Sequence, residues 1–318
     1  MPTEAHAQIV NPGMATWGAA DAANWLRPPC ATDHKMTRGV LGARIGSARY
    51  PGAAVLGVTA AWRTGLGMVR YVPPLGDRQP KFGLPTPAAA VLAVRPETVF
   101  GEGECDAWLL GSGTDPGRRS DAETAAIEAL HAGDTPLVLD AGALGSVLAR
   151  TRAAAPAVLT PHLGEFRRLW AAADLGQLPE EHPQDAGSGT VPPETIARLA
   201  ARISATILLK GSITTVVSPG GRVISVGPAT PWLATAGTGD VLAGILGALV
   251  ARHAAAMRAN SELLAELAAT AALVHDTAAR HASRDDATDS ANCTGAPITA
   301  LDVAHAVPAA ISCLSATG

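Results

Sequence analysis

The chain has 318 residues, 47% of them hydrophobic, enough to fill the core of one large α/β domain or two modest ones. A net charge of −4, with 24 Lys and Arg residues scattered without basic runs, excludes the electrostatic footprint of a nucleic-acid binder and points to a small-molecule partner. Three Phe and two Tyr, only partly offset by six Trp, stand against abundant Ala and 33 Gly, which favours close-packed helices on a sheet over a β-sandwich.

Residues 1–33 read as an irregular arm with one helical turn near Ala19 to Leu26, and residues 34–318 as a single domain. The opening MPTEAHAQIVNPGMATW has no basic segment followed by an apolar one, so no secretory signal is expected. From Lys35 the chain alternates short apolar runs with helical patterns. A strand at Gly39 to Ile45 feeds a Gly-rich turn, a helix at Ala53 to Thr64 and a strand at Met68 to Val72, the βαβ signature of a parallel sheet. Further strands are expected at Ala89 to Val94, Ala107 to Leu110, Leu137 to Leu139, Ala157 to Leu159 and Thr206 to Leu209. Helices are expected at Asp121 to His131 and Glu194 to Arg202. Thr214 to Val217 and Val223 to Val226 flank Pro219-Gly220-Gly221 and read as a hairpin. Helices at Val241 to Met257, Glu262 to Arg280 and Ala300 to Ala310 close the chain. Ala171 to Pro193 and Ser283 to Pro297, rich in Pro, Gly, Asp and Ser, read as surface loops.

Cys30, Cys105, Cys293 and Cys313 are far apart, with no C-x-x-C pair, so neither a disulfide framework nor a structural zinc is indicated. The longest apolar helical pattern, Val241 to Ala251, is shorter than the ~20 residues a bilayer needs. The expectation is a soluble, cytoplasmic protein with no membrane partner.

In an open α/β sheet, ligands sit beyond the carboxyl ends of the strands, and several strands here end in a polar residue or glycine. The most telling stretch is ATAGTGDVLAG, Ala234 to Gly244, where Gly237 and Gly239 lead into Asp240 and an apolar-periodic helix. Free N–H groups and the positive end of the macrodipole would bind a phosphate there, with a carboxylate beside it. Alone, the same residues also suit a turn and an N-cap. IGSARYPGAA, Ile45 to Ala54, and LLGSGTDPG, Leu109 to Gly117, each offer bare backbone at a strand end, as structural turns also do. LTPHLGEF places His162 and Glu165 at a helix start, where either serves a site or a cap. LLKGSITTVV carries Lys210 at a strand end, positioned for phosphate or for solvent, and no P-loop occurs.

The ordered series GS-x-x-YPGAA, GSG, LDA, TPH-x-GE, LKG-x-x-T and TAGTGDVLAG resembles the NAD(P)H-hydrate dehydratase family of the ribokinase-like superfamily, over roughly Lys35 to Ile311. The resemblance implies a central, mainly parallel sheet flanked by helices on both faces, often in a homotetramer. It implies dehydration of the S-epimer of NAD(P)H hydrate, driven by ADP or ATP with magnesium. Asp240 would take the proton from the ring hydroxyl and also bind substrate, and Gly237, Thr238 and Gly239 would form an anion hole. Ala53, Gly113 and His162 match hydrate-binding positions. Lys210, Gly211, Ser212, Ile213, Thr214 and Gly239 match nucleotide-binding positions. The family's LDADAL segment, with its following Asn, is LDAGALGS here, so Gly142 replaces an acidic residue and Gly145 stands at the Asn. GPGLG has become GSGTDPG, and the first turn reads RIGS in place of GGS. Asp140 or Asp115 is available to replace the missing carboxylate. The 33-residue arm is too short for the family's epimerase domain, which implies a separate epimerase as partner. Two alternatives stay open: a kinase of a vitamin precursor, of the hydroxyethylthiazole kinase type, and a non-catalytic nucleotide-binding homologue.

Overall fold

The computed structural model describes residues 15–77, 83–149, 154–179, 191–285 and 295–316. Strands are β1 Ala15–Thr16, β2 Val40–Arg44, β3 Met68–Tyr71, β4 Val99–Phe100, β5 Ala107–Leu110, β6 Leu137–Leu139, β7 Ala157–Leu159, β8 Thr206–Leu209, β9 Thr214–Val217 and β10 Val223–Val226. Among the described residues they form one sheet in the order β1-β10-β9-β8-β7-β6-β5-β2-β3-β4. The block from β8 to β4 is parallel throughout, and β9 is antiparallel to both β8 and β10.

The helices are α1 Ala19–Ala23, α2 Pro51–Arg63, α3 Pro87–Val94, α4 Asp121–Ala132, α5 Leu163–Ala172, α6 Pro193–Ile203, α7 Thr238–Arg252, α8 Ala254–Ala259, α9 Leu264–Ser283 and α10 Ala300–Ser315. Side chains alternate across each central strand: Leu109, Val138, Val158 and Leu208 face α2, α7, α9 and α10, while Leu110, Leu139, Leu159 and Leu209 face α4, α5 and α6. Because both faces are covered, these strands read as continuous apolar runs. None of the described helices is long and apolar enough to cross a membrane.

Small residues set the depth of packing on the first face. A Cβ on Gly244 of α7 would stand 2.3 Å from the Gly57 carbonyl oxygen of α2, so the two helices meet backbone to backbone. That contact carries the N-termini of α2 and α7 to the same end of the sheet, beyond the carboxyl ends of the parallel strands.

Three expectations need correction. Ala89 to Val94 is helix α3, and not a strand: Thr86 accepts a hydrogen bond from Ala89 N–H and Pro87 opens the helix, a start signal outweighing the short apolar run. The helix expected to reach Met257 stops at Arg252, because His253 leaves helical geometry and its ring Nε2 meets the Trp25 carbonyl at 3.0 Å before α8 begins. The arm is also less irregular than expected. From Ala15 it adds β1 in parallel to β10, the buried Trp17 donates to Thr270 Oγ1 at 3.1 Å, and Leu26 is buried in the core. The other elements match in type, although α7 begins at Thr238, α6 at Pro193, and α10 extends to Ser315. A 3-10 stretch, Ala141–Ala149, was not expected. Most of the two expected loops, 180–190 and 286–294, lies outside the described residues.

Gly244→Ala is expected to destabilise the chain by about 1–3 kcal/mol, since the added carbon must push α2 from α7. Gly145→Ala, whose Cβ would meet nothing within 4 Å, should stay within about 0.5 kcal/mol of wild type; urea denaturation of both checks the pair.

Candidate active site

Each central strand delivers a polar residue to the same edge. Ser112 follows β5, Asp140 follows β6, Thr160 follows β7 and Lys210 follows β8. Asp140 is buried and collects the others: Ser112 Oγ donates to Oδ2 at 2.8 Å, Thr160 Oγ1 to Oδ1 at 2.8 Å, and Lys210 Nζ to Oδ1 at 3.3 Å. Such charge-assisted bonds orient a buried carboxylate and satisfy it. Lys210 Nζ also lies 3.8 Å from Glu165 Oε2, so the one ammonium joins two acids.

Asp240 sits above this group. Gly237, with φ at +89°, turns the chain into α7, and Thr238 Oγ1 donates to the carbonyls of Leu233 and Thr235 at 2.9 Å each. The turn is tied to α9: Thr230 donates through its backbone N–H to Asp276 and through its hydroxyl to Asp285, each at 2.7 Å. His275, buried on α9, has its ring against the Thr238 backbone, and burial pushes its pKa down to about 4, so it is neutral at physiological pH. Among the described residues the backbone N–H groups of Gly237, Gly239 and Asp240 have no hydrogen-bond partner, whereas that of Thr238 is taken by the Thr235 carbonyl at 3.4 Å. A Cβ on Gly239 would lie 3.5 Å from Lys210 Nζ, which fixes the ammonium beside the helix start.

The Asp240 carboxylate accepts no hydrogen bond from the described residues. Its pKa is raised to about 7, mainly by burial and further by the Asp140 charge, with Lys210 opposing. A carboxylate so placed is a base matched to neutral pH.

The structure brings the remaining candidates to either side of Asp140 and Asp240. On one side, Gly113, with φ at +66°, packs so tightly that a Cβ would lie 2.3 Å from Ala53 Cβ, and Ser47 Oγ donates to the Gly113 carbonyl at 2.8 Å. On the other side His162 and Lys210 pair as an isolated parallel bridge beyond β7 and β8. His162 Nδ1 accepts from the N–H groups of Gly164 and Glu165 while Glu165 Oε2 accepts from His162 N–H, a capping box in which the ring's Nε2 lies 3.5 Å from Glu165 Oε2 and the side chain stays more than half exposed. Gly211, Ser212 and Ile213 form an exposed turn whose Ser212 carbonyl accepts from Ala229 N–H at 2.8 Å, and Thr214 begins β9 in a buried position.

Gly142 has a structural cause. A Cβ there would stand 2.4 Å from Thr114 Oγ1 and 2.5 Å from its carbonyl oxygen, so Thr114 fills the space a side chain would need. Of the two acids available to replace the missing carboxylate, Asp140 lies at the sheet edge with Ser112, Thr160 and Lys210, while Asp115 accepts from Gly117 N–H at 3.0 Å. Ser112 and Thr160 were not singled out from the sequence; their signal was a polar residue just past each apolar strand.

A family model described as NAD(P)H-hydrate dehydratase matches residues 41–297. The bifunctional NAD(P)H-hydrate repair enzyme Nnr of Mycobacterium tuberculosis is 37% identical over 243 residues, covering 73% of this chain and 45% of that protein. The ADP-dependent (S)-NAD(P)H-hydrate dehydratase of Neisseria meningitidis is 34% identical over 232 residues, 69% of this chain and 71% of its own length. The chain thus spans about half the length of the bifunctional relatives it matches. The fold is similar to that of the Bacillus subtilis ADP/ATP-dependent NAD(P)H-hydrate dehydratase co-crystallised with ATP and Mg²⁺, with a TM-score of 0.73 at 23% identity over 96% of this chain and all of that one. The mainly parallel sheet, the glycine-led turn into α7 and the match across most of the sequence agree: the chain belongs to the NAD(P)H-hydrate dehydratase family.

Proposed function

We propose that the chain dehydrates the S-epimer of NAD(P)H hydrate, using ADP or ATP as phosphate donor and restoring NAD(P)H. The observation that carries the reading is Asp240: a half-buried carboxylate whose pKa is raised to about 7, beside unpaired N–H groups at the start of α7. The name of the Neisseria relative supports the same substrate and donor.

Hydroxide leaves poorly from the hydrated ring. Asp240 accepts the proton of the ring hydroxyl as its oxygen bonds to the terminal phosphorus, and the bond from that phosphorus to the remaining nucleotide breaks. The N–H groups of Gly237, Gly239 and Asp240, with the helix dipole, hold the charge on the phosphoryl oxygens. Lys210 stands beside Gly239, where it neutralises donor phosphate, and the exposed turn Gly211 to Ile213 carries the nucleotide. The ring nitrogen's electron pair then expels phosphate, and loss of a proton from the adjacent carbon re-forms the double bond. Ala53 and Gly113, packed against each other, bound the substrate on one side, and the exposed His162 ring, braced by Glu165, bounds it on the other.

Magnesium in nucleotide sites is held by one or two carboxylates together with phosphate oxygens. Asp140 accepts three hydrogen bonds and keeps lone-pair capacity beside Lys210, so it would hold the cation together with phosphate oxygens and leave Asp240 uncoordinated as the base. Among the described residues no cluster of three or more His, Cys, Asp or Glu could hold a metal alone, which agrees with phosphate completing the shell. The cation, when bound, neutralises phosphate charge. The reading extends to a cytoplasmic homotetramer working with a separate epimerase; sedimentation tests the assembly.

Purified chain given NADH or NADPH hydrate, magnesium and either nucleotide is expected to regain reduced-nicotinamide absorbance, and Asp240→Asn to lose at least about 10³-fold in rate. A stable phosphorylated product, or no recovery with either donor, would overturn the assignment. Because the base must be ionised, kcat/KM should rise with pH to a plateau, half-maximal near the Asp240 pKa of about 7. Linkage gives a second readout. The folded chain holds a proton that the unfolded chain has lost between the ordinary aspartate value of 3.8 and about 7, so wild-type stability from this group falls as pH rises through that window. Asp240→Asn is therefore expected to melt a few degrees above wild type at about pH 8 and level with it at about pH 4.

A further inference from the structure

A cavity of ≈ 590 Å³ opens at the carboxyl ends of β5, β2 and β3, with Ser47, Gly111 and Thr114 in its wall. It belongs to the same edge as Asp140 and Asp240 but lies on the side away from Lys210, because β6 separates β5 from β7 and β8 in the sheet. Its size suits half of a dinucleotide.

The lining is cationic. Arg44 is spent in a buried pair with Glu123, and Arg119 donates to the Gly142 carbonyl. Arg49 and Arg118 are exposed and make no ion pair among the described residues; Arg49 lies 5.3 Å from the Tyr50 ring centre. The acids that share the cavity are engaged elsewhere: Asp115 accepts from Gly117 N–H, Asp77 from Ala48 N–H, and Glu123 holds Arg44 and Leu75 N–H. Arg49, against the Tyr50 ring, and Arg118 thus line the same space without an ion pair among the described residues, and the four arginines outnumber Asp77, Asp115 and Glu123 by one charge, which favours an anion such as phosphate. Exposed Tyr50, Leu75 and Leu84 supply flat apolar surface at the same mouth, suited to a purine.

A dinucleotide whose nicotinamide end reaches Asp240 cannot extend toward Lys210 if a phosphate donor occupies that side. The side toward β5, β2 and β3, on the same sheet edge, is then the one open to its other half. We propose that this cavity takes the adenosine half of the dinucleotide and that Arg49 and Arg118 bind its 2′-phosphate, making NADPH hydrate the preferred substrate. The identity of the occupant rests on the dehydratase reading.

Calorimetric titration of the full chain with adenosine 2′,5′-bisphosphate, in saturating ADP to fill the donor site, tests the cavity without turnover. Binding should persist in ADP and weaken about ten-fold in each of Arg49→Ala and Arg118→Ala, while 5′-AMP, lacking the second phosphate, changes less than about two-fold. Both arginines are exposed, so the variants keep their fold. In turnover, kcat/KM for NADPH hydrate should fall about ten-fold in each variant and that for NADH hydrate stay level. Displacement of the bisphosphate by ADP, or equal effects on both probes, would overturn the site. A chain that binds as stated yet restores no NAD(P)H keeps the cavity assignment and loses the dehydratase reading. One that restores both hydrates with arginine-independent kinetics keeps the dehydratase reading and loses this one.

Discussion

Helix α7 is buried almost from end to end, and its position governs the site. Residues Val241 to Ala251 are all buried, wedged between the sheet, α2 and α9, which leaves only the first turn in contact with open space. A helix that offers no polar flank must be held by shape, and Gly57 and Gly244 provide it by letting two backbones touch. The same wedge aims unpaired N–H groups, the positive end of the dipole and Asp240 at the carboxyl edge of the sheet. Ser112, Gly113, Asp140, Thr160, His162 and Lys210 reach that edge from the ends of β5 to β8, so the helix sets what they face.

Electrostatics at the edge is a balance of two acids and one ammonium. Asp140 is fully engaged by Ser112, Thr160 and Lys210, and it acts on Asp240 through space. Burial and that repulsion outweigh Lys210, which leaves Asp240 poised near neutrality. A solvated aspartate would be too weak a base for a ring hydroxyl, so the desolvation that opposes its ionisation also strengthens it. The loop carrying Gly237 must be rigid for this to hold, and the Thr230, Asp276 and Asp285 bonds to α9 fasten it.

The departures from the family pattern fall together in space. Gly142 has no room for a side chain because Thr114, part of the altered GSGTDPG turn, lies against it. Arg119 uses the Gly142 carbonyl, so the turn, the 3-10 stretch and the cationic cavity form one rearranged unit next to an unaltered Asp140. Two changes that look independent along the chain are one packing decision.

The sequence by itself determined the alternation of strands and helices, the glycine-led turn before Asp240 and the polar residue after each apolar strand. Those are local signals, carried by periodicity and backbone freedom within a few residues. It could not rank α3 as helix from its apolar run alone, nor end α7 at His253, since a Trp25 carbonyl more than two hundred positions away in sequence makes that break. Only the tertiary structure decided which polar ends meet. The sheet order puts Asp140 between the Gly113 side and the Lys210 side, and burial turns Asp240 from an ordinary helix-start carboxylate into one with a pKa of about 7. Desolvation and charge repulsion depend on distances through space, and a one-dimensional pattern carries no such distances.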